Sequence, residues 1–479
     1  MKLRSRIVFL SLTKINVQMN IKFGTDGWRA IIAKDYTFEN LKRVSLATGK
    51  YFLSHQNINN GVCIGYDTRF MSKQFAEYVA EIFASLGIKT VLSETFVPTP
   101  AVSMFVKKQS LAGGVMITAS HNPPTYNGFK VKADYGGSAH PEQIADIEKL
   151  LAGVEASRTI EKNAVLIERA DIRTFYANAI QSEIDLDAIQ NVTLKIGHNA
   201  MFGAGQGIVR QLLGGRVSEY HCAINPTFDG INPEPIPNYL QDYVPVFKSE
   251  KLQVAILNDG DADRIGMMDE RANYVDSHKI FAVILKYLVE EKKMTGEVAR
   301  TYALTEVIDK LCLKHNLKCH NLPIGFKHVG KLMTTNDVLM GGEESGGIGV
   351  TAHLPERDGI FIGLLVLEIM AKRKKTLGEL VGELYDEFGF FTYDRIDAHL
   401  TEEEKLRAIE RASKGIFKEI AGCKVTRFEN LDGFKYFFEG GWLLIRPSGT
   451  EPVLRLYCEA DTEEKVKSAL NFAQRLAMP

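Results

Sequence analysis

The chain has 479 residues, with 58 basic against 59 acidic side chains, a formal net charge of −1 and 45% hydrophobic residues. That length exceeds one hydrophobic core and implies three or four domains. Balanced charge with no large Lys/Arg cluster excludes a nucleic-acid stripe, so an anionic ligand has to be attracted locally by individually placed Arg and Lys side chains.

Taken in chain order, residues 1–18 hold a short apolar piece, Ile7 to Leu10, behind basic residues. It falls below the ~7–15 residues of a signal-peptide core and no small-residue cleavage site follows. A short extension is expected there, and no apolar run approaches the ~20 residues of a membrane span. The six cysteines (Cys63, Cys222, Cys312, Cys319, Cys423 and Cys458) are scattered without a Cys-x-x-Cys pair. That suits reduced thiols in a cytoplasmic protein and argues against a disulfide frame or a zinc site.

Strands alternate with helices for most of the length, the pattern of βα units and of parallel or mixed sheets. A strand over 62–66 precedes helical spacing over 74–86. A second unit opens at 193–197 with a helix over 203–213, and a third at 298–304 with a helix over 307–316. Lys372-Arg373-Lys374-Lys375 reads as a solvated helix end. The last ninety or so residues differ. A strand over 390–398, a helix over 402–420, strands within 434–445 and 453–459, and a final helix from residue 462 read as a compact α+β domain.

Four loops carry chemistry. The first follows the apolar run at 113–117: Thr118-Ala119-Ser120-His121-Asn122-Pro123-Pro124. Ser120 stands where a strand hands over to a loop. Two prolines and a tight turn expected at Asn127-Gly128 stiffen that loop, which holds a hydroxyl still as a nucleophile or phosphate carrier needs. Lys130 emerges close behind. Read alone, the segment also fits an ordinary strand terminus.

The second loop follows another apolar run, 254–257, and places Asp259, Asp261 and Asp263 at i, i+2 and i+4. In an extended segment this spacing points three carboxylates to one side, where they repel unless a cation sits between them. Hard oxygen ligands select Mg²⁺ or Ca²⁺. An EF-hand needs Gly where Arg264 stands, so Mg²⁺ is the expected ion and a solvated acidic turn its competitor.

The third loop, Gly341-Gly342-Glu343-Glu344-Ser345-Gly346-Gly347, offers acceptors and a hydroxyl suited to sugar hydroxyls. The fourth, Arg446-Pro447-Ser448-Gly449-Thr450, combines a guanidinium, hydroxyls and free amides into a small anion receptor. Taken singly, these two read better as a flexible acidic turn and a Pro/Gly hairpin.

Together, and in this order, the four loops resemble those of the α-D-phosphohexomutases, the superfamily of phosphoglucomutase and phosphomannomutase. Further matches are Phe23-Gly24-Thr25-Asp26-Gly27-Trp28-Arg29, Gly65-Tyr66-Asp67-Thr68-Arg69, Pro98-Thr99-Pro100, Asn232-Pro233-Glu234-Pro235 and Gly325-Phe326-Lys327. The likeness runs from about residue 21 to the C-terminus. It implies three similar α/β domains with mixed sheets and a smaller C-terminal α+β domain around a central cleft. The domains are expected over 19–168, 169–276, 277–388 and 389–479.

The resemblance also implies roles. Ser120 carries a phosphate and lends it to a sugar 1-phosphate, and the sugar 1,6-bisphosphate so formed turns round and returns its other phosphate. That bisphosphate also serves as activator. Mg²⁺ is held by Asp259, Asp261, Asp263 and an oxygen of phosphorylated Ser120. Arg29 and Arg264 flank the transferring group, and Lys130 moves a proton or steadies charge. His121, Lys130 and His328 are the candidates for general acid/base. Gly325, Lys327, Glu343 and Ser345 hold the sugar, while Arg446, Ser448, Gly449, Thr450 and Arg455 clamp its distal phosphate. Gly347 stands where one branch of the family has a His, which favours glucose over mannose. The rival classes are phosphomannomutase, a magnesium-dependent sugar phosphatase and a non-catalytic sugar-phosphate binder. The expected partners are small sugar phosphates, with no nucleic acid or membrane, and the expected state is a monomer or homodimer.

Overall fold

The structure, a computed structural model, describes residues 21–24, 26–154, 159–448 and 453–478. Four sheets follow one another along the chain, as the α/β and α+β patterning predicts. In the first, β1 (Trp28–Ile31), β2 (Val62–Tyr66), β3 (Thr90–Ser93), β4 (Gly113–Ile117), β5 (Tyr126–Ala133) and β6 (Ile167–Ala170) take the order β1-β5-β4-β2-β3-β6. β2 and β4 are fully buried and parallel, with Tyr66 opposite Ile117, so their C-terminal ends open at one edge. The crevice beyond the carboxyl ends of parallel strands is where α/β sheets place their ligands.

The second sheet joins β7 (Ile196–Asn199), β8 (Val217–Tyr220), β9 (Val254–Asn258), β10 (Ile265–Met268) and β11 (Tyr274–Val275) in the order β11-β10-β9-β7-β8. The third joins β12 (Glu297–Thr301), β13 (Cys319–Leu322), β14 (Val338–Gly342) and β15 (Ile348–Val350) in the order β13-β12-β14-β15. The fourth is antiparallel. It holds β16 (Thr392–His399), β17 (Glu419–Ile420), β18 (Cys423–Glu429), β19 (Phe434–Phe438), β20 (Gly441–Pro447) and β21 (Val453–Ala460), ordered β16-β21-β20-β19-β18-β17.

One apolar cluster runs through the first three units. Phe105 and Phe175 meet at 4.9 Å across the first boundary, and the helix Gly359–Arg373 is buried from Gly359 to Ala371. That helix is greasy all round because neighbouring elements cover every face. Among the described residues no helix is long and apolar enough to cross a membrane. Separate clusters fill the first and fourth units, and Tyr302 packs with Phe437, Trp442 and Tyr457 where the third unit meets the fourth.

Several local expectations need correction. Asn127-Gly128 is not a turn: both residues lie in β5, where Gly128 pairs with Arg29 of β1. The helix expected over 402–420 ends at Ser413, because Glu419–Ile420 is drawn into a strand against β18. The helix expected over 203–213 starts only at Ile208, since the Gly-rich segment before it is a loop.

Candidate active site

Ser120 sits just past β4 with φ 52°, a left-handed conformation that costs a non-glycine residue energy and persists only under outside constraint. The constraint is visible. Thr118 Oγ1 accepts the Ser120 amide at 2.9 Å. The buried Arg69 guanidinium, at the end of β2, donates to the carbonyls of Ser120 (2.5 Å), Asn122 (2.6 Å), Pro123 (2.8 Å) and Tyr126 (3.1 Å). One planar cation thus clasps the whole loop, while Asp67 holds its Nε at 3.2 Å.

Arg69→Lys keeps the charge but loses the fork, leaving at least one buried carbonyl unpaired at about 1–3 kcal/mol. We expect a lowered Tm and, through displacement of Ser120, a fall in kcat of up to ~10²-fold. Thermal melts and steady-state kinetics on the purified variant check both. Wild-type kcat with a lowered Tm would show that Arg69 supports only the fold.

The Ser120 hydroxyl donates to Asp259 Oδ2 at 2.7 Å. Gly260 makes this approach possible, because a Cβ there would overlap the Ser120 carbonyl oxygen. The acidic loop is not extended. Ala262 has φ 57° and its amide donates to Asp259 O at 3.0 Å, so a turn, rather than strand alternation, brings the carboxylates together. Asp259, Asp261 and Asp263 are fully buried and offer ligand oxygens within 4.8 Å of one another. Oδ1 of both Asp261 and Asp263 has no hydrogen-bond partner among the described residues. Burial, then Asp261 and Asp263, push the Asp259 carboxyl well above its usual range. Crowded hard oxygens with orphaned lone pairs fit a small divalent cation such as Mg²⁺.

Lys130, on β5, lies inside this acidic cluster. Its Nζ is 2.7 Å from Asp26, 2.8 Å from Asp261 and 2.8 Å from Asp263. Burial opposes its charge, but the three carboxylates prevail and hold the ammonium protonated well past its usual range. Arg357 adds a second cation, 2.7 Å from Asp26, 3.0 Å from Asp263 and 3.4 Å from Glu343. Thr99 Oγ1 donates to Asp261 at 2.5 Å. Behind them Glu356 accepts from Lys132 at 2.7 Å and from Ser138 at 2.6 Å. Burial alone would raise its carboxyl, yet Lys132 and Arg357 bring it down to about 2.

The remaining expected residues fall into three places. Beside Ser120, Arg29 donates to Asn122 Oδ1 at 2.8 Å and lies 3.4 Å from Asp26. Arg264 pairs with Glu234 at 3.2 Å, and His121 Nδ1 is 3.5 Å from the Ser120 hydroxyl. Burial, then Arg264 and Arg29, hold His121 well below the usual imidazole range, hence neutral near pH 7. In the third unit, Ser345 donates to Glu343 at 2.7 Å, Gly325 precedes the helix Phe326–Thr335, and Lys327 lines a cleft with Asp26 and Ser138. His328 has Lys327, Asp432, Arg446 and Lys331 as charged neighbours, whereas those of His121 are Arg264, Arg29, Arg395 and Lys130. In the fourth unit, Arg446 on β20 pairs with Asp432 at 3.0 Å and faces Arg455 of β21 in register. The Ser448 amide donates to Val453 O at 2.9 Å, while Gly449 and Thr450 lie outside the described residues.

Reading the sequence missed the part that Asp26, Arg69, Thr99, Glu356 and Arg357 take in this cluster. Asp26, Arg69 and Thr99 lay within quoted motifs without a role. Glu356-Arg357-Asp358 had a usable signal: a charged triplet wedged immediately before a helix that is apolar from Gly359 to Leu367.

Sequence models of the phosphoglucomutase/phosphomannomutase family match the chain in all four parts: α/β/α domain I over residues 20–158, domain II over 174–272, domain III over 276–388 and the C-terminal domain over 396–472. A phosphoglucomutase/phosphomannomutase of Thermococcus kodakarensis is 29% identical over 95% of this chain and 98% of its own length. A "probable phosphoglucosamine mutase" of Pyrococcus abyssi is 32% identical over 95% of this chain and 97% of its own. Among solved structures, that of a "putative phosphomannomutase" from Thermus thermophilus superposes with a TM-score of 0.86 at 33% identity, covering 96% of this chain and 100% of the other.

Proposed function

This chain belongs to the phosphoglucomutase/phosphomannomutase family of the α-D-phosphohexomutase superfamily and is a phosphohexomutase, and from that premise we propose that it interconverts glucose 1-phosphate and glucose 6-phosphate through a phosphorylated Ser120. The observation that carries the reading is Ser120 itself, held left-handed by Arg69 with its hydroxyl 2.7 Å from a buried triad of carboxylates.

In the forward half-reaction the Oγ–P bond of phosphorylated Ser120 breaks as the 6-hydroxyl oxygen of glucose 1-phosphate bonds to phosphorus. The bonding pair stays on Oγ, and the hydroxyl proton passes to a base. His121 suits that task because it is held neutral and lies beside Ser120. Lys130, with its ammonium among Asp26, Asp261 and Asp263, is placed to steady negative charge. Asp259, Asp261 and Asp263 would hold magnesium, which would supply Lewis-acid stabilisation of the transferring phosphoryl group. Arg29 and Arg264 hold the transferring group from the sides. Glu343 and Ser345 bind the ring, with Gly325 and Lys327 beside them. Arg446, Ser448, Gly449, Thr450 and Arg455 bind the distal phosphate while the 1,6-bisphosphate changes direction.

Glucose is favoured by the sugar loop. The position that carries a histidine in one branch of the family is Gly347 here, where a Cβ would press on Arg357 Cδ, so the loop offers the sugar no imidazole from this point. A second reading, a hexosamine phosphate mutase, draws support from the name of the Pyrococcus abyssi relative. Turnover of glucose, mannose and glucosamine 1-phosphates with Mg²⁺, with and without a trace of glucose 1,6-bisphosphate, separates them. The expected result is fastest conversion of glucose 1-phosphate, with bisphosphate shortening the lag. Faster turnover of glucosamine 1-phosphate selects the second reading, and release of inorganic phosphate as the main product would identify a phosphatase.

A further inference from the structure

On the second sheet, behind the acidic loop, three side chains meet for which the reaction above has no use. His198 of β7 and Glu219 of β8 are register partners on parallel strands, and Cys222 lies just past the end of β8. An imidazole nitrogen, a carboxylate oxygen and the thiol sulfur lie within 4.8 Å of one another. His198 is fully buried, and its Nδ1 has no hydrogen-bond partner among the described residues.

The tautomer of His198 follows from its neighbour. Asn258 Nδ2 donates to the Arg264 carbonyl at 3.0 Å, which fixes the orientation of that amide. Asn258 Oδ1, 3.1 Å from His198 Nε2, must then accept, so the imidazole proton sits on Nε2. Nδ1 is left as a bare lone pair in a buried position. This is the arrangement of metal-binding histidines, whose second nitrogen donates to a carbonyl that orients the ring. Burial also pushes the imidazole down to about 4, so it is neutral over the working range.

We propose that His198 Nδ1, Glu219 and Cys222 form a site for one Zn²⁺ ion, distinct from the magnesium triad. Nitrogen, sulfur and a single carboxylate are the donor set of zinc rather than of magnesium or calcium. Carboxylate and thiolate together neutralise a divalent charge. Glu219 uses one oxygen to accept the Gly207 amide at 2.8 Å, and its other oxygen is 3.7 Å from the half-exposed Arg210. Arg173, also nearby, is engaged with the Gln206 carbonyl. Zinc–ligand bonds of about 2.0–2.3 Å need donor atoms closer together than 4.8 Å. Glu219 and Cys222 are only half-buried, so side-chain rotation can close the difference and solvent can supply the fourth ligand. On binding, the Cys222 S–H bond breaks, a sulfur–zinc bond forms and one proton leaves to solvent. The imidazole gives its lone pair without losing a proton. Motif spacing hides the site because its ligands come from two paired strands.

The test is a Co²⁺ titration of the full chain with Mg²⁺ saturating the hard-oxygen site. A thiolate-to-cobalt charge-transfer band is expected to rise to one equivalent per chain and to disappear on addition of Zn²⁺. Cys222→Ala should abolish the band while keeping wild-type mutase activity, which confirms that the variant is folded. Glu219→Gln should require more cobalt to reach half the signal. Absence of a band in the wild type, a band undiminished in Cys222→Ala, or an unchanged cobalt requirement in Glu219→Gln would each overturn the site.

Discussion

Ser120→Ala is expected to eliminate sugar-phosphate interconversion while leaving a folded protein. The substitution removes a single hydroxyl, whose partner is Asp259 at 2.7 Å. The backbone restraints on the loop survive it, because Arg69 grips carbonyls and Thr118 Oγ1 accepts an amide, none of which belongs to the serine side chain. Alanine also tolerates the left-handed angle about as well as serine does. Stability should therefore change by no more than the ~1.5–3 kcal/mol of one hydrogen bond to a charged group. Activity should fall on the order of 10⁵–10⁶-fold, the scale seen when a covalent nucleophile is removed, because the other hydroxyl on the triad, that of Thr99, is committed to Asp261 rather than to Asp259. Incubation with glucose 1,6-bisphosphate should add one phosphoryl group to the wild type, located at Ser120 by peptide mass spectrometry, and none to the variant. Vigorous turnover by the alanine variant, or a phosphate found only on another residue, would remove Ser120 from the mechanism.

Asp261→Asn should divide its effect between the kinetic constants in a recognisable way. Asp261 Oδ2 accepts from Lys130 at 2.8 Å and from Thr99 at 2.5 Å, and its orphaned Oδ1 is free for a cation. The amide removes one of three negative ligands and turns an NH₂ group toward another donor. Lys130 keeps Asp26 and Asp263, so the cluster does not collapse. The charge lost serves the transferring phosphoryl group rather than the resting sugar. kcat should therefore drop by roughly 10²–10³-fold, the usual cost of one preorganised electrostatic contact, with KM for the sugar phosphate little changed. The Mg²⁺ concentration for half-maximal activity should rise. Wild-type enzyme stripped by a chelator should be inactive and recover with Mg²⁺. Undiminished activity in excess chelator would refute the metal's part, and a change confined to KM would mean that Asp261 faces the sugar instead.

What the sequence determined by itself is the alternation of elements and the loops in which the chemistry stands. Apolar runs at 113–117 and 254–257 end abruptly in polar residues, and runs this short between polar flanks suit buried strands rather than helices. Ser120 and the three aspartates were legible for that reason, as was the four-unit organisation. The Asn127-Gly128 turn and the long helix over 402–420 were misread because in each case a neighbouring strand supplied a pairing edge that outweighed local preference. Only the tertiary structure decided which charges meet. Asp26, Lys130, Asp263 and Arg357 come from four distant parts of the chain. The partner of a buried charge is set by desolvation and by the geometry between units, neither of which leaves a local pattern. The same holds for Arg69, which in sequence is one arginine after a strand and in the fold is the clasp on the Ser120 loop. Spacing along the chain likewise set Cys222 apart from His198, and the register of β7 with β8 brought them together.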